Sequence, residues 1–377
     1  MGRKSRVGIL FGGRSAEHEV SLQSAKNIID AIDLNKYEVV LIGIDKKGRW
    51  HLNEESRFLL PTSQSGLPEL PESGDNLALV PGKQDEQLVT LSGQQTLGSL
   101  DVIFPVLHGP FGEDGTVQGL LKLANIAFVG AGVLGSAIGM DKDVMKRLLR
   151  DAGIPIARFV VANRYSSKEI GFQYAQDQLG LPLFIKPANL GSSVGIHKVK
   201  SREEFERAIR DAFNYDNKIL IEECIAGREI ECSVLGNDNP IASLPGEILP
   251  RHEFYSYEAK YLDENGALLE IPAKLPSAIS ERVRQLAIKT FSVLGCEGMA
   301  RVDFFLRNDD EIIVNEINTI PGFTRISMYP KLWEASGISY GDLIDKLIEL
   351  AIERFEREKR LKTDRASSSA KPAESDA

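Results

Sequence analysis

The stretch MARVDFFLRNDDEIIVNEIN, residues 299–318, restricts this chain more than any other. Two β-prone runs flank a polar turn over residues 308–311, the pattern of a β-hairpin. A turn centred between Asp309 and Asp310 sets Asp303 opposite Glu316 and Arg301 opposite Asn318, with all four on one face. Cross-strand neighbours hold their Cβ atoms about 5 Å apart. Two acids and an amide oxygen therefore converge beside a guanidinium, a donor set that suits a hard cation such as magnesium. The bland alternative is a surface hairpin laced with ion pairs. Val302, Phe304, Phe305, Val314 and Ile317 argue against it, because they imply burial on both faces, and buried acids without a cation are costly.

Upstream, residues 7–11 form a short apolar run that ends in Gly12-Gly13 and a helix-compatible stretch, followed by a second strand over 38–44. Strand, glycine turn, helix and strand open an α/β domain with parallel strands. Residues 53–100 are polar and rich in Pro, Gly and Ser, with strand-like pieces at 77–80 and 87–91, and read as a hairpin-bearing insertion away from any site. The strand over 101–107 ends in HGPFGEDGT, which puts His108, Glu113 and Asp114 where open α/β sheets bind ligands. A helix is predicted over 141–152 and a strand near 158–162. Ser166 with Glu169, and Ser201 with Glu204, read as capping boxes. The last helical pattern starts at Tyr340 and runs to about residue 362, and the tail 363–377 lacks the composition for a packed core.

Size and charge narrow the function. A chain of 377 residues is long enough for about two or three domains. Its 54 acidic against 45 basic residues argue against a nucleic-acid partner. The basic N-terminus leads into only about five apolar residues, short of the roughly 7–15 of a signal peptide. No run approaches the roughly 20 residues of a membrane span. Cys224, Cys232 and Cys296 lack metal-site or disulfide spacing and read as buried thiols of a reducing compartment.

Three further clusters carry polar chemistry. The loop PANLGSSVG after Lys186 offers backbone N–H groups and the Ser192 and Ser193 hydroxyls to phosphate oxygens. It is not a Walker A motif, and alone it is equally an ordinary hairpin connection; Lys186 and the upstream Lys142, able to neutralise a polyphosphate, strengthen it. Glu222 and Glu229 in IEECIAGREI can accept hydrogen bonds from an adenine amine or ribose hydroxyls, or simply line a strand edge. Glu17 in GGRSAEHEVS reads equally as an ammonium anchor and as an acid at a helix start.

In order, FGGRSAEHEVS, HGPFGEDGT, MDK, KPANLGSSVG, IEECIAGREIE, YEAKY, ARVDFF and NEINTIPGFT resemble the D-alanine-D-alanine ligase family, which has the ATP-grasp fold, over roughly residues 5–350. The resemblance implies an α/β (α+β) architecture. An N-terminal open parallel α/β domain, 1–135, is followed by two ATP-grasp subdomains, 136–225 and 226–362, that sandwich ATP; a disordered tail covers 363–377. It implies a cytoplasmic, homodimeric enzyme that joins two D-alanines through a D-alanyl phosphate for peptidoglycan synthesis, using ATP and two Mg2+ ions or Mn2+ in their place. Lys142, Lys186, Ser192, Ser193 and Lys260 are then expected at the ATP phosphates, and Glu222, Ile225 and Glu229 at adenine and ribose. Asp303, Glu316 and Asn318 are expected at the metal ions. Glu17, with Ser192 and Tyr261 linked to it, and His108 are expected at the first D-alanine. Arg301 and the Gly322 N–H are expected at the oxyanion, and Ser327 and the Met328 backbone at the second carboxylate. Met328 stands where leucine is expected, a small departure for a backbone contact. The segment 249–266, with Tyr255, Tyr257, Lys260 and Tyr261, is the expected lid. Tyr261 favours an amine acceptor over D-lactate, and D-serine stays open as an acceptor; a non-catalytic nucleotide-binding relative is the alternative from another class.

Overall fold

The computed structural model describes residues 3–53, 76–82, 87–92, 98–165, 170–191, 194–250 and 267–362. Strand β1 (Ser5–Gly12) leads through helix α1 (His18–Ala31) to β2 (Tyr37–Ile44), and β2 pairs with β1 in parallel. From Val7 onward β1 is apolar and buried, because helices or loops cover both faces of the sheet, the usual condition of parallel strands. At its end the chain turns back so closely that a Cβ on Gly12 (φ +91°) would lie 2.2 Å from the Ile44 carbonyl oxygen, so only glycine fits. Strands β3 (Trp50–Asn53), β4 (Asn76–Leu79) and β5 (Leu88–Thr90) continue this sheet antiparallel from β2. The insertion expected over 53–100 thus extends the first sheet. On the other side, β6 (Val102–Val106) pairs in parallel with β1, and after α2 (Thr116–Leu123) comes β7 (Ala127–Phe128), parallel to β6.

Helices α3 (Val133–Met140) and α4 (Lys142–Asp151) lead away from this sheet. The Asp141 carboxylate caps α4 by accepting from the Asp143 and Val144 N–H groups, which fixes where Lys142 starts. A four-stranded antiparallel sheet follows. Its strands are β8 (Phe159–Asn163), β9 (Leu183–Pro187), β10 (His197–Val199) and β11 (Lys218–Glu223), in the order β10-β9-β11-β8. Helices α5 (Phe172–Leu179) and α6 (Arg202–Tyr215) cover it. Ser201 caps α6 through the Glu204 N–H as expected, but the Glu204 carboxylate accepts from Lys200 N instead of Ser201 N. The Ser166–Glu169 capping box lies outside the described residues; α5 starts later, behind Gly171.

The third sheet holds β12 (Arg228–Gly236), β13 (Ile241–Ala242), β14 (Gly246–Pro250), β15 (Ala267–Glu270), β16 (Gly298–Arg307) and β17 (Glu311–Asn318). Its order is β15-β14-β12-β16-β17, with β13 on β12, and α7 (Ser277–Val293) packs on it. Residues 251–266, with Lys260 and Tyr261, lie outside the described residues, as do Ser192, Ser193 and the tail 363–377. The last described elements are α8 (Met328–Ala335) and α9 (Tyr340–Lys359). Leu343, Ile344, Leu347 and Ile348 of α9 join the core under β1, β6 and α1, so the last described helix completes the first domain. Cys232 and Cys296 are buried, and burial pushes both thiols up to about 12. Cys224 differs from expectation: it follows β11 and is only half-buried.

Candidate active site

The hairpin pairs as its sequence predicts, with Asp303 opposite Glu316 and Arg301 opposite Asn318. The route differs. The turn is one residue tighter, with Asn308 and Asp309 both left-handed (φ 52° and 59°), and Asn315 is an extra residue in β17. That bulge frees the Val314 N–H from the ladder to bond the Pro155 carbonyl at 2.9 Å, which docks the segment after α4. Arg301 holds Asp303 with two parallel hydrogen bonds, Nε to Oδ1 at 2.7 Å and Nη2 to Oδ2 at 2.8 Å, and Asn318 donates to Oδ2 at 2.9 Å. Glu231, opposite Asp303 on β12, lies 2.8 Å from Arg301 Nε and is buried. Glu316 lies 3.5 Å from Lys142 Nζ, which also donates to the Leu190 carbonyl.

A small cavity of about 90 Å3 joins the hairpin to the first sheet. Glu17 enters it from the turn before α1, His108 and Glu113 from the loop after β6, and Gly191 from the loop after β9. Arg301, Glu316 and Asn318 form one wall, and Gly322, Ser327 and Met328 close another at the N-terminus of α8. A Cβ at position 322 would lie 2.9 Å from Ser327 Oγ, so any side chain there would displace that hydroxyl. Ser327 Oγ in turn accepts from Thr324 N at 3.0 Å and pairs with Thr324 Oγ1 at 2.7 Å.

His108 bonds the Ile320 carbonyl through Nδ1, and its Nε2 is buried facing no acceptor or donor among the described residues. Burial opposes a charged ring, but the Glu113 hydrogen bond and the charges of Glu17 and Glu113 outweigh it and hold its pKa above the histidine range. Glu113 is raised by burial and by Glu17, against the pull of His108. A second charged cluster lies between α4 and the four-stranded sheet. Glu222 on β11 meets Lys186 on β9 at 2.5 Å and Lys146 on α4 at 3.1 Å. Burial works against the Glu222 charge, yet the two lysines keep its pKa below the carboxylate range; burial draws Lys146 below the lysine range.

The structure therefore brings Glu17, His108, Arg301, Glu316, Asn318, Gly322, Ser327 and Met328 around one cavity. Asp303 sits against Arg301, and Lys142 against Glu316. Glu222 points at the lysines. Ile225 and Glu229 are half-buried on the connection to β12 and at its start. Glu113, expected beside His108 at the end of the strand, lines the cavity as well. Glu231 and Lys146 are additions, and the signals for both were in the sequence: Glu231 falls on the polar face of EIECSV together with Glu229 and Ser233, and Lys146 is one helical turn beyond Lys142.

A parallel α/β domain joined to two antiparallel sheets, with lysines on one and a paired acid hairpin on the other, defines an α/β enzyme of the ATP-grasp class. Sequence profiles described as the D-ala D-ala ligase N-terminus and C-terminus match residues 6–131 and 148–349. The chain belongs to the D-alanine-D-alanine ligase family. It is 60% identical over 360 residues to the D-alanine--D-alanine ligase of Shouchella clausii, covering 96% of this chain and 98% of that one. The solved D-alanine-D-alanine ligase of Coxiella burnetii superposes with a TM-score of 0.83 at 40% identity, over 95% of this chain and 97% of that one. The VanG D-Ala:D-Ser ligase of Enterococcus faecalis does so with a TM-score of 0.82 at 36% identity, over 93% and 100%.

Proposed function

We propose that this enzyme uses ATP to join two D-alanines through a D-alanyl phosphate, supplying the dipeptide for peptidoglycan. The observation that carries it is the cavity itself, which sets a buried acid, Glu17, across from a guanidinium, Arg301, and a helix N-terminus at Met328. Glu17 anchors the ammonium group of the first D-alanine and His108 lies beside its carboxylate. Lys142 and Lys186 draw the ATP phosphates toward that carboxylate by point charge. Once the carboxylate has taken the γ-phosphoryl group, with ADP as the leaving group, the free amine of the second D-alanine attacks the activated carbonyl, and collapse of the tetrahedral intermediate expels phosphate. Arg301 and the Gly322 N–H stabilise the oxyanion that forms. Ser327 and the first N–H groups of α8 hold the second carboxylate, where the helix dipole favours an anion.

The hairpin fits magnesium. Asp303, Glu316 and Asn318 offer two carboxylates and an amide on one half-buried face, all hard oxygen donors, with Arg301 and Lys142 sharing the negative charge. Among the described residues no group of three or more His, Cys, Asp or Glu side chains could hold a metal ion, and the hairpin set itself counts two carboxylates and one amide. Bound there, magnesium ions, or manganese in their place, would neutralise charge on the transferred phosphoryl group. Ser192, Ser193, Lys260 and Tyr261 complete the proposal as phosphate ligands and covering loop, and Ile225 and Glu229 as contacts to adenine and ribose. Glu222 is reassigned in part, since its carboxylate is already engaged by two lysines. We place the enzyme in the cytoplasm as a homodimer, which light scattering of the purified protein tests; among the described residues no helix is long and apolar enough to cross a membrane.

Phosphate release from ATP and magnesium, with D-alanine alone or with D-lactate or D-serine added, and with products identified by mass, tests the reading. Dipeptide from D-alanine alone is expected. The likeness to a D-Ala:D-Ser ligase makes D-serine the acceptor to compare, and predominant D-alanyl-D-serine would replace the reading. ATP binding with no phosphate released in the presence of any D-amino acid would end it.

A further inference from the structure

Lys146 has no part in the chemistry above, yet it is the most deeply buried charge near it. Its side chain is fully buried on α4, one turn beyond Lys142. The Lys146 ammonium lies 3.1 Å from Glu222 Oε1, and the other oxygen of the same carboxylate lies 2.5 Å from Lys186 Nζ. Two cations and one anion share a site almost closed to water, with Lys186 6% and Glu222 4% exposed. Burial draws the Lys146 pKa down, and the Glu222 carboxylate, with a smaller contribution from Glu316 of the hairpin, acts to keep it charged.

A single lysine facing a buried carboxylate closes on it as a neutral pair, because neither charge has water to turn to. Were Glu222 held by Lys186 alone, Lys186 would offer little net attraction to an incoming polyanion. Lys146 alters that balance, since it meets the Glu222 charge from inside the protein and leaves the cluster with a net positive charge on the more open side. We infer that Lys146 is a positioning residue for the nucleotide: by offsetting Glu222 from behind, it leaves Lys186 available to the phosphates of ATP. The same contact explains why a glutamate is present among phosphate-binding lysines at all. Glu222 keeps two like charges from repelling each other out of a buried site.

The inference rests on the reading of Lys186 as a phosphate ligand, and the test separates the two. KM for ATP and for D-alanine would be measured in Lys146→Met, Lys186→Met and the double variant Lys146→Met with Glu222→Gln. Lys146→Met is expected to raise KM for ATP by about tenfold or more and to leave KM for D-alanine within about twofold. Adding Glu222→Gln removes the charge that captures Lys186 and should bring KM for ATP back down by at least about threefold. A merely structural lysine would not give that rescue, because the second substitution would only weaken the protein further. A folded Lys146→Met enzyme with unchanged KM for ATP would overturn the inference, and so would a further rise in the double variant. Where Lys146→Met does not fold, Lys146→Arg decides. With the charge kept, KM for ATP should stay within about threefold of the parent, and a tenfold rise with normal thermal stability would sink the idea. If Lys186→Met itself leaves KM for ATP unmoved, the phosphate-ligand reading falls; if Lys186→Met raises it and Lys146→Met does not, only the role of Lys146 falls.

Discussion

At the residue scale, the first-substrate end of the cavity is a proton-sharing cluster. His108 and Glu113 both have pKa values raised in the folded protein, with Glu17 adding negative charge. A raised histidine contributes stability in full below its unfolded pKa of about 6.5, and that contribution is lost as pH rises through the folded value. The raised Glu113 acts in the same sense, its contribution fading above its unfolded pKa of about 4.3. Glu113→Gln should therefore flatten the fall in stability as pH rises above about 6.5. Urea denaturation of both proteins across that range checks it, and parallel curves would refute it. On the opposite wall, Arg301 makes two parallel bonds to Asp303 that a lysine cannot reproduce. Arg301→Lys is expected to lower kcat by about 10²–10³ with the fold retained, since an oxyanion donor would be misplaced. A variant with parental kcat would remove Arg301 from the chemistry. Chelation bears on the same acids. EDTA should abolish turnover, and added Mg2+ or Mn2+ should restore it; turnover that persists in EDTA would dissociate the hairpin acids from metal binding.

At the element scale, the hairpin shows how a correct pairing can be reached by a different path. Simple alternation around a turn centred between Asp309 and Asp310 predicts Asp303 opposite Glu316. The folded turn is centred on Asp309, and the bulge at Asn315 restores the register before the site begins. Beside the bulge the Val314 N–H bonds Pro155, a partner more than 150 positions away that local patterning cannot reveal. The turn itself is local chemistry: Asn and Asp tolerate the left-handed conformation that Asn308 and Asp309 adopt. Asn308→Val should cost about 1–2 kcal/mol of stability, because a β-branched side chain clashes there. An unchanged urea midpoint would show that the turn can reshape at no cost.

At the scale of the whole molecule, the last described helix is stitched to the first domain. Arg354 on α9 is 4% exposed and donates to the carbonyls of Phe128 and Gly130, with its guanidinium 4.5 Å from the centre of the Phe128 ring. Leu343, Ile344, Leu347 and Ile348 of α9 each contribute about 1.5–3 kcal/mol by burial in the first core. Arg354→Ala should cost about 2–5 kcal/mol, because it strands two buried carbonyls and removes packing. Thermal or urea denaturation measures it, and a loss under 1 kcal/mol would mean that water replaces the guanidinium.

The sequence by itself determined the parts whose cause is local. Strand and helix periods, the Asp141 cap and the polar face of the hairpin are all set by neighbours within a few positions, and they sufficed to place Asp303 against Glu316 and Arg301 against Asn318. Residue order also carried the family. Tertiary structure alone decided which charges meet. Lys146 with Glu222, Glu231 with Arg301, His108 with the Ile320 carbonyl and α9 with the first sheet join segments that lie tens to hundreds of positions apart. Their pairing depends on how separate sheets dock, and a buried charge takes its partner from whatever the docking brings near, because without water it must find one inside the protein.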